Sequence, residues 1–206
     1  MAVTAKEVKA LRDLTGAGPL DCKKALEKFD GDIDKAVEYL REEAIKAGVK
    51  LQGKGRAAND GVIGSYIHFD QRLAVIVEVN CETDFVAKTD KFQAFAKDIA
   101  MHIATINPQY VKREDVPADI VDAEKKDHLD RALEEGKPAD IAEKIVEGRL
   151  NKWYKDIVLM EQDFIKDEDR TIAQYLEETV AELGETINIG QFKRIAIGEA
   201  DNAGDE

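Results

Sequence analysis

One short segment of this chain alternates in hydropathy, and it narrows the fold class more than any other feature. In "RLAVIVEVN", residues 72–80, Leu73, Val75, Val77 and Val79 fall on one face at a period of two, as in a half-buried strand. The preceding "GVIGSYIHF", residues 61–69, is also rich in strand formers. Asp70 and Gln71 between them predict a tight hairpin turn, although the pair lacks the favoured Asn-Gly chemistry. A third strand is expected in "ETINIGQFKRIAIGE", residues 185–199. Elsewhere the apolar residues recur at the helical period. A few strands among many helices mean α+β: a small antiparallel sheet inside a helix-rich domain.

The first fifty residues read as three short amphipathic helices sharing one core. Thr4 and Glu7 form a capping box, followed at helical spacing by Val8, Leu11 and Leu14 or Thr15. "TGAGP" breaks that helix, and Pro19 suits the first turn of the next, whose Cys22, Ala25, Leu26 and Phe29 share a face. Asp32 caps a third with Ile33, Ala36, Val37 and Leu40 as its stripe. "GVKLQGKGRAANDG" then reads as a linker. After the hairpin, Thr89 caps a helix carrying Phe92, Phe95, Ala96, Ile99, Ile103 and Ile106, which Pro108 stops. Further helices are expected near 118–135, 138–161 and 170–183. The predicted organisation is a three-helix domain over 1–52, a linker over 53–60, a core domain over 61–198 and a disordered acidic tail over 199–206.

Charge supports the first boundary and excludes some functions. Residues 1–56 hold 12 Lys and Arg against 10 Asp and Glu, a net of +2, while the remainder holds 18 against 33, a net of −15. A formal charge of −13 opposes nucleic acid as the main ligand, because phosphate binding needs an electropositive face. The chain lacks an eighteen-residue apolar run and begins without a signal-like apolar region, so no membrane association and a cytoplasmic location are expected. Cys22 and Cys81 are expected to be reduced thiols. His68, His102 and His128 lack metal-ligand spacing, and His102 reads as an ordinary, partly buried helix residue. No H-E-x-x-H, C-x-x-C or G-x-S-x-G occurs, and "TGAGP" lacks the strand before it and the Lys-Ser pair after it that a phosphate loop needs. No catalytic residue, metal or cofactor is expected.

The remaining candidate is "ETDFVAK", residues 82–88, where strand gives way to helix. Two readings are open. In one unbroken helix, Phe85 would fall seven residues before Phe92 and join the core stripe, with Thr83 or Asp84 as a plain cap. If the helix instead restarts at Thr89, Thr83–Lys88 is a separate turn, and an exposed aromatic beside an acid suits a protein interface.

The residues also carry a resemblance. "EVNCETDFVAK", residues 78–88, resembles the central signature of the bacterial elongation factor Ts family, and "LRDLTGAGPLDCKKAL", residues 11–26, resembles its N-terminal one. "GVIGSYIH", "AMHIA", "NKWYKDIVLMEQDFIKD" and "TIAQYL" are similar to further family blocks in the same order. Pro19 and Leu20 depart from the apolar residues, often two methionines, that usually follow "GAG"; Asp163 stands where proline is common, and "GETINIGQF" also departs. The resemblance implies guanine-nucleotide exchange on elongation factor Tu, in its GDP-bound and nucleotide-free forms. It also implies a ubiquitin-associated-like N-terminal domain that grips the partner together with the core. Thr83, Asp84, Phe85 and Val86 match the segment that inserts near the partner's Mg²⁺; Arg12, Leu20 and Lys23 are the N-terminal contact candidates. The chain resembles a short form, lacking a second core half and a long helical-hairpin insertion. Its single sheet leaves a face uncovered, so a homodimer through the core is expected. A ubiquitin-type adaptor is the alternative for residues 1–50, but it explains nothing after Gly61.

Overall fold

The computed structural model describes residues 3–199, so most of the expected acidic tail lies outside the described residues. The described residues run in the order α1 (Ala5–Thr15), α2 (Pro19–Lys28), α3 (Ile33–Gln52), β1 (Asp60–Ile67), β2 (Leu73–Cys81), α4 (Asp84–Ala87) and α5 (Asp90–Ile106). They continue as α6 (Ala118–Glu134), α7 (Ala139–Ile157), β3 (Asp163–Phe164), β4 (Asp167–Thr171), α8 (Ile172–Leu183) and β5 (Asn188–Ala196). The class is α+β, with a three-stranded sheet ordered β1-β2-β5 and a separate β3-β4 hairpin. Two compact units each draw on three separated stretches: residues up to 62, 79–95 and 174–188 form the first, and 63–78, 96–173 and 189 onward form the second.

In the first unit the helix signals act as the sequence implies. Both arms of the capping box close: the Glu7 N–H donates to Thr4 Oγ1 at 3.3 Å, and the Thr4 N–H donates to Glu7 Oε2 at 2.7 Å. Gly16 takes the left-handed conformation (φ 69°) that ends α1, and Pro19 opens α2. Asp32 caps α3 by accepting from the Lys35 N–H. Leu11, Cys22, Ala25, Leu26, Ala36 and Leu40 make the core of this bundle, with Phe29 and Tyr39 packed against it. Burying one large apolar side chain of this kind contributes about 1.5–3 kcal/mol. Leu14, one of two alternatives for the stripe, is 67% exposed.

The linker begins later than "GVKLQGKGRAANDG" implies, because α3 continues to Gln52. Gly48 is buried inside it, and a Cβ there would lie 2.1 Å from the Glu177 carbonyl oxygen of α8. It is a close-packing glycine, which sequence alone does not distinguish from a linker glycine.

In the second unit, residues 68–72 connect β1 to β2, so the expected two-residue turn is a five-residue loop. The His68 N–H still reaches the Leu73 carbonyl, and Gln71 takes φ 58°. Val75 and Val77 of β2 are each 1% exposed. Gly64 of β1 meets α5 so closely that a Cβ would lie 2.5 Å from the Ala96 carbonyl oxygen. On the opposite parity of β2, Ile76 is exposed. Ile106, expected on the α5 stripe, is 43% exposed.

His102 is fully buried, not partly as expected. Its Nδ1 accepts from the Ile165 N–H (3.4 Å), so Nε2 carries the proton and donates to Gln162 Oε1 at 3.0 Å. Burial pushes its pKa below 6.5. The polar run 163–171, "DFIKDEDRT", forms the β3-β4 hairpin that no alternation announces, and α8 starts at Ile172. Residues 135–138 join α6 to α7, the two helices expected near 118–135 and 138–161.

Candidate functional site

Strand β2 ends at Cys81, a buried free thiol that donates to the Thr83 carbonyl at 3.2 Å. Burial is the main cause holding that thiol's pKa above the usual cysteine value. Thr83 stays extended (φ −133°, ψ 151°) and caps α4, its Oγ1 accepting from the Val86 N–H at 3.4 Å. After four residues the chain caps again at Thr89, whose Oγ1 accepts from the Phe92 N–H and donates to the Val86 carbonyl. The helix therefore restarts, and Phe85 does not share the stripe of Phe92.

This break divides the motif by direction. Val86 and Ala87 are 6% and 4% exposed, whereas the Phe85 ring is 77% exposed. The buried pair anchors α4 and turns Asp84 and Phe85 outward. Lys88 Nζ reaches Asp84 Oδ2 at 2.6 Å, one helical turn along. That charge-assisted bond, then the attraction itself, holds the Asp84 carboxyl below the ordinary aspartate range and raises the Lys88 ammonium.

Residues remote in sequence fix where the segment starts. The Thr83 N–H and hydroxyl donate to Glu185 Oε2 and Oε1 at 3.1 and 2.7 Å. The Thr186 N–H donates to Glu82 Oε1 at 2.7 Å, and Arg56 reaches the same carboxylate at 3.3 Å. The Thr186 N–H is the first cause of Glu82's depressed pKa. Sequence reasoning missed Glu82 and Glu185 because the bond between them and their partners spans about a hundred residues and no local pattern marks it.

The N-terminal candidates lie around the Gly16–Gly18 corner. Arg12 is exposed, and its carbonyl accepts from the Gly16 N–H. Leu20 is 62% exposed, and Lys23 pairs loosely with Glu27 at 3.7 Å on the same helix. Leu14 also points into water and was missed as a surface candidate because its spacing fits a core stripe.

A second apolar surface lies on the three-stranded sheet. Ile63, Ile67, Phe69, Ile76, Ile195 and Ile197 are all more than half exposed. The parity of β2 explains it, since Ile76 alternates with the buried Val75 and Val77.

Among the described residues, Glu124, Asp127 and His128 of α6 could bring three ligand atoms within 4.8 Å of one another. Asp127 pairs with Arg131 at 2.8 Å, and Glu124 lies 3.1 Å from His128 Nε2, so these groups have neighbours on their own helix. No described helix is long and apolar enough to cross a membrane.

A family model described as "Elongation factor TS" matches residues 21–199. Elongation factor Ts of Geobacter sulfurreducens is 53% identical over 199 residues, covering 97% of this chain and 91% of the relative. The proteins of the same name from Carboxydothermus hydrogenoformans and Acetivibrio thermocellus are 51% and 53% identical over 197 residues, each covering 96% of this chain and 90% and 91% of their own length.

Proposed function

Since the chain belongs to the elongation factor Ts family, we propose that it drives GDP from elongation factor Tu by inserting the Asp84–Phe85 turn beside the partner's Mg²⁺ site. The family implies nucleotide exchange on elongation factor Tu in translation. One observation carries it: Phe85 leaves 77% of its surface in water while Val86 and Ala87 beside it are buried. Leaving an aromatic ring in water forgoes about 1.5–3 kcal/mol of burial at home, which becomes available to a partner's apolar crevice.

The mechanism is linkage. Mg²⁺ bridges the β-phosphate of GDP to its host, so disturbing the cation's ligands weakens nucleotide binding. The wedge couples the two binding events, and the coupling is reciprocal: incoming nucleotide expels the wedge as the wedge expelled the old one. Each 1.4 kcal/mol of coupling changes affinity about tenfold. Phe85 supplies the apolar wedge, Asp84 the charge that competes for the cation's surroundings, and Thr83 and Val86 the cap and anchor. Arg12, Leu20 and Lys23 add a second grip at the N-terminal corner. The chain contributes no nucleophile, base or metal of its own and acts in the cytoplasm on both the GDP-bound and nucleotide-free partner.

Two copies associate through the core. The exposed sheet face supports this, because side chains such as Ile63, Ile76 and Ile195 occupy the outward parity of three adjacent strands. A second copy of the same apolar face matches it in polarity. Sedimentation at micromolar concentration tests the pairing, with a monomer as the contrary result. Retention of elongation factor Tu, and not of ubiquitin-like proteins, by the immobilised chain tests the exchange reading against the adaptor alternative.

A further inference from the structure

Helix α4 is too short to hold itself, since one turn fixes several dihedrals for a single hydrogen bond. Val86 and Ala87 anchor one side of it by burial, and what holds Thr83 sets where it starts. Two consecutive-residue pairs grip each other there: Glu82 accepts from the Thr186 backbone, and Glu185 accepts from the Thr83 backbone and hydroxyl. The hydroxyl has one proton. Given to Glu185, it leaves the oxygen's lone pairs to face the Val86 N–H, so the carboxylate orients the cap as well as holding it. The gripping loop is tied in turn to the end of α3, where Gln52 Nε2 donates to the Ile187 carbonyl at 2.6 Å.

We infer that Glu185 is a positioning residue for exchange: its carboxylate preorganises the Thr83 cap, and thereby the outward set of Phe85, without touching the partner. The inference rests on the proposed role of Phe85. A clamp that preorganises changes the fraction of molecules ready to bind, and apparent affinity scales with that fraction. Losing it therefore raises the concentration of chain needed for half-maximal exchange and spares the maximal rate, because the ordered segment is still reached once bound.

The test uses the full chain as wild type, Glu185→Ala, Glu185→Gln and Phe85→Ala. Stopped-flow release of fluorescent GDP from elongation factor Tu is followed across chain concentration, and backbone hydrogen exchange of residues 83–88 is measured on the free chain. Glu185→Ala should raise the half-maximal concentration about tenfold, the scale of two water-exposed hydrogen bonds near the low end of their net contribution, keep the plateau, and speed exchange at Val86. Glu185→Gln can still accept from the Thr83 N–H but cannot also take the hydroxyl proton, so it should fall between wild type and Glu185→Ala in both readouts. Should Glu185→Ala melt, Glu185→Asp, with too short an arm for both bonds, gives the same reading. Unchanged half-maximal concentration and amide protection in Glu185→Ala overturn the inference, as does a lost plateau, which would mean direct contact with the partner. If Phe85→Ala keeps the full plateau, the wedge reading fails instead, and the hydrogen-exchange contrast between Ala and Gln at 185 still decides the clamp.

Discussion

Phe85 and Phe69 both leave most of their ring in water, at 77% and 88% exposure, yet their settings differ. Phe85 stands alone on a capped turn, with Asp84 and Lys88 paired beside it and its other neighbours buried. Phe69 sits in the β1-β2 loop, in contact with His68 at a ring distance of 4.5 Å, and continues an apolar face of five isoleucines. A single ring ringed by charge suits a crevice in another protein. A broad apolar face suits a second face of the same kind. Exposure alone assigns neither role; the neighbours do.

The contrast breaks most readily at the sheet. Ile76→Asp should weaken self-association about a hundredfold or more, because pairing would bury an unpaired carboxylate; equilibrium sedimentation reads this. Exchange at saturating chain should survive, and its loss would show that the two surfaces do not act separately. Next in size is a contrast between rings that a period of seven would place on one stripe. Phe92 is fully buried, so Phe92→Ala should cost about 3–5 kcal/mol in denaturant unfolding. Phe85→Ala should cost no more than about 0.5 kcal/mol.

A smaller effect is a pH response centred on the second unit. The buried neutral His102 has a lowered pKa, so the unfolded chain binds the proton first. The stability it contributes is complete above 6.5 and is lost as pH falls from there through the lower folded value. Thermal melts between pH 7.5 and 5.5 should show the decline, and His102→Gln should flatten it. Asp84 behaves oppositely in range: its carboxyl is held below the ordinary value, so its pair with Lys88 persists over the same interval. Asp84→Asn should leave the melting midpoint in place and slow GDP release by about threefold, the low end of the net contribution of one water-exposed hydrogen bond.

Local signals made much of this fold legible. The Thr4–Glu7 box, the Asp32 cap and the alternation from Leu73 to Val79 depend only on neighbours in sequence, and each appears where its residues imply. Thr89 as a second cap was also readable, and it is what separates Phe85 from the Phe92 stripe. The unread parts were decided by distant partners. Gly48 looked like a linker glycine until the backbone of Glu177 filled the space of its missing side chain. His102 looked half-wet until Gln162 and Ile165 closed over it. Glu82 and Glu185 were plain surface acids in the sequence, and only the fold brings each to the other's neighbour.

Release of fluorescent GDP from elongation factor Tu by wild type and Phe85→Ala, measured by stopped flow up to saturating chain, tests the central claim most directly. Wild type should accelerate release in a concentration-dependent, saturable manner, and Phe85→Ala should reach a plateau at least about tenfold lower, consistent with losing one buried aromatic contact. Equal plateaus for the two proteins would contradict the account.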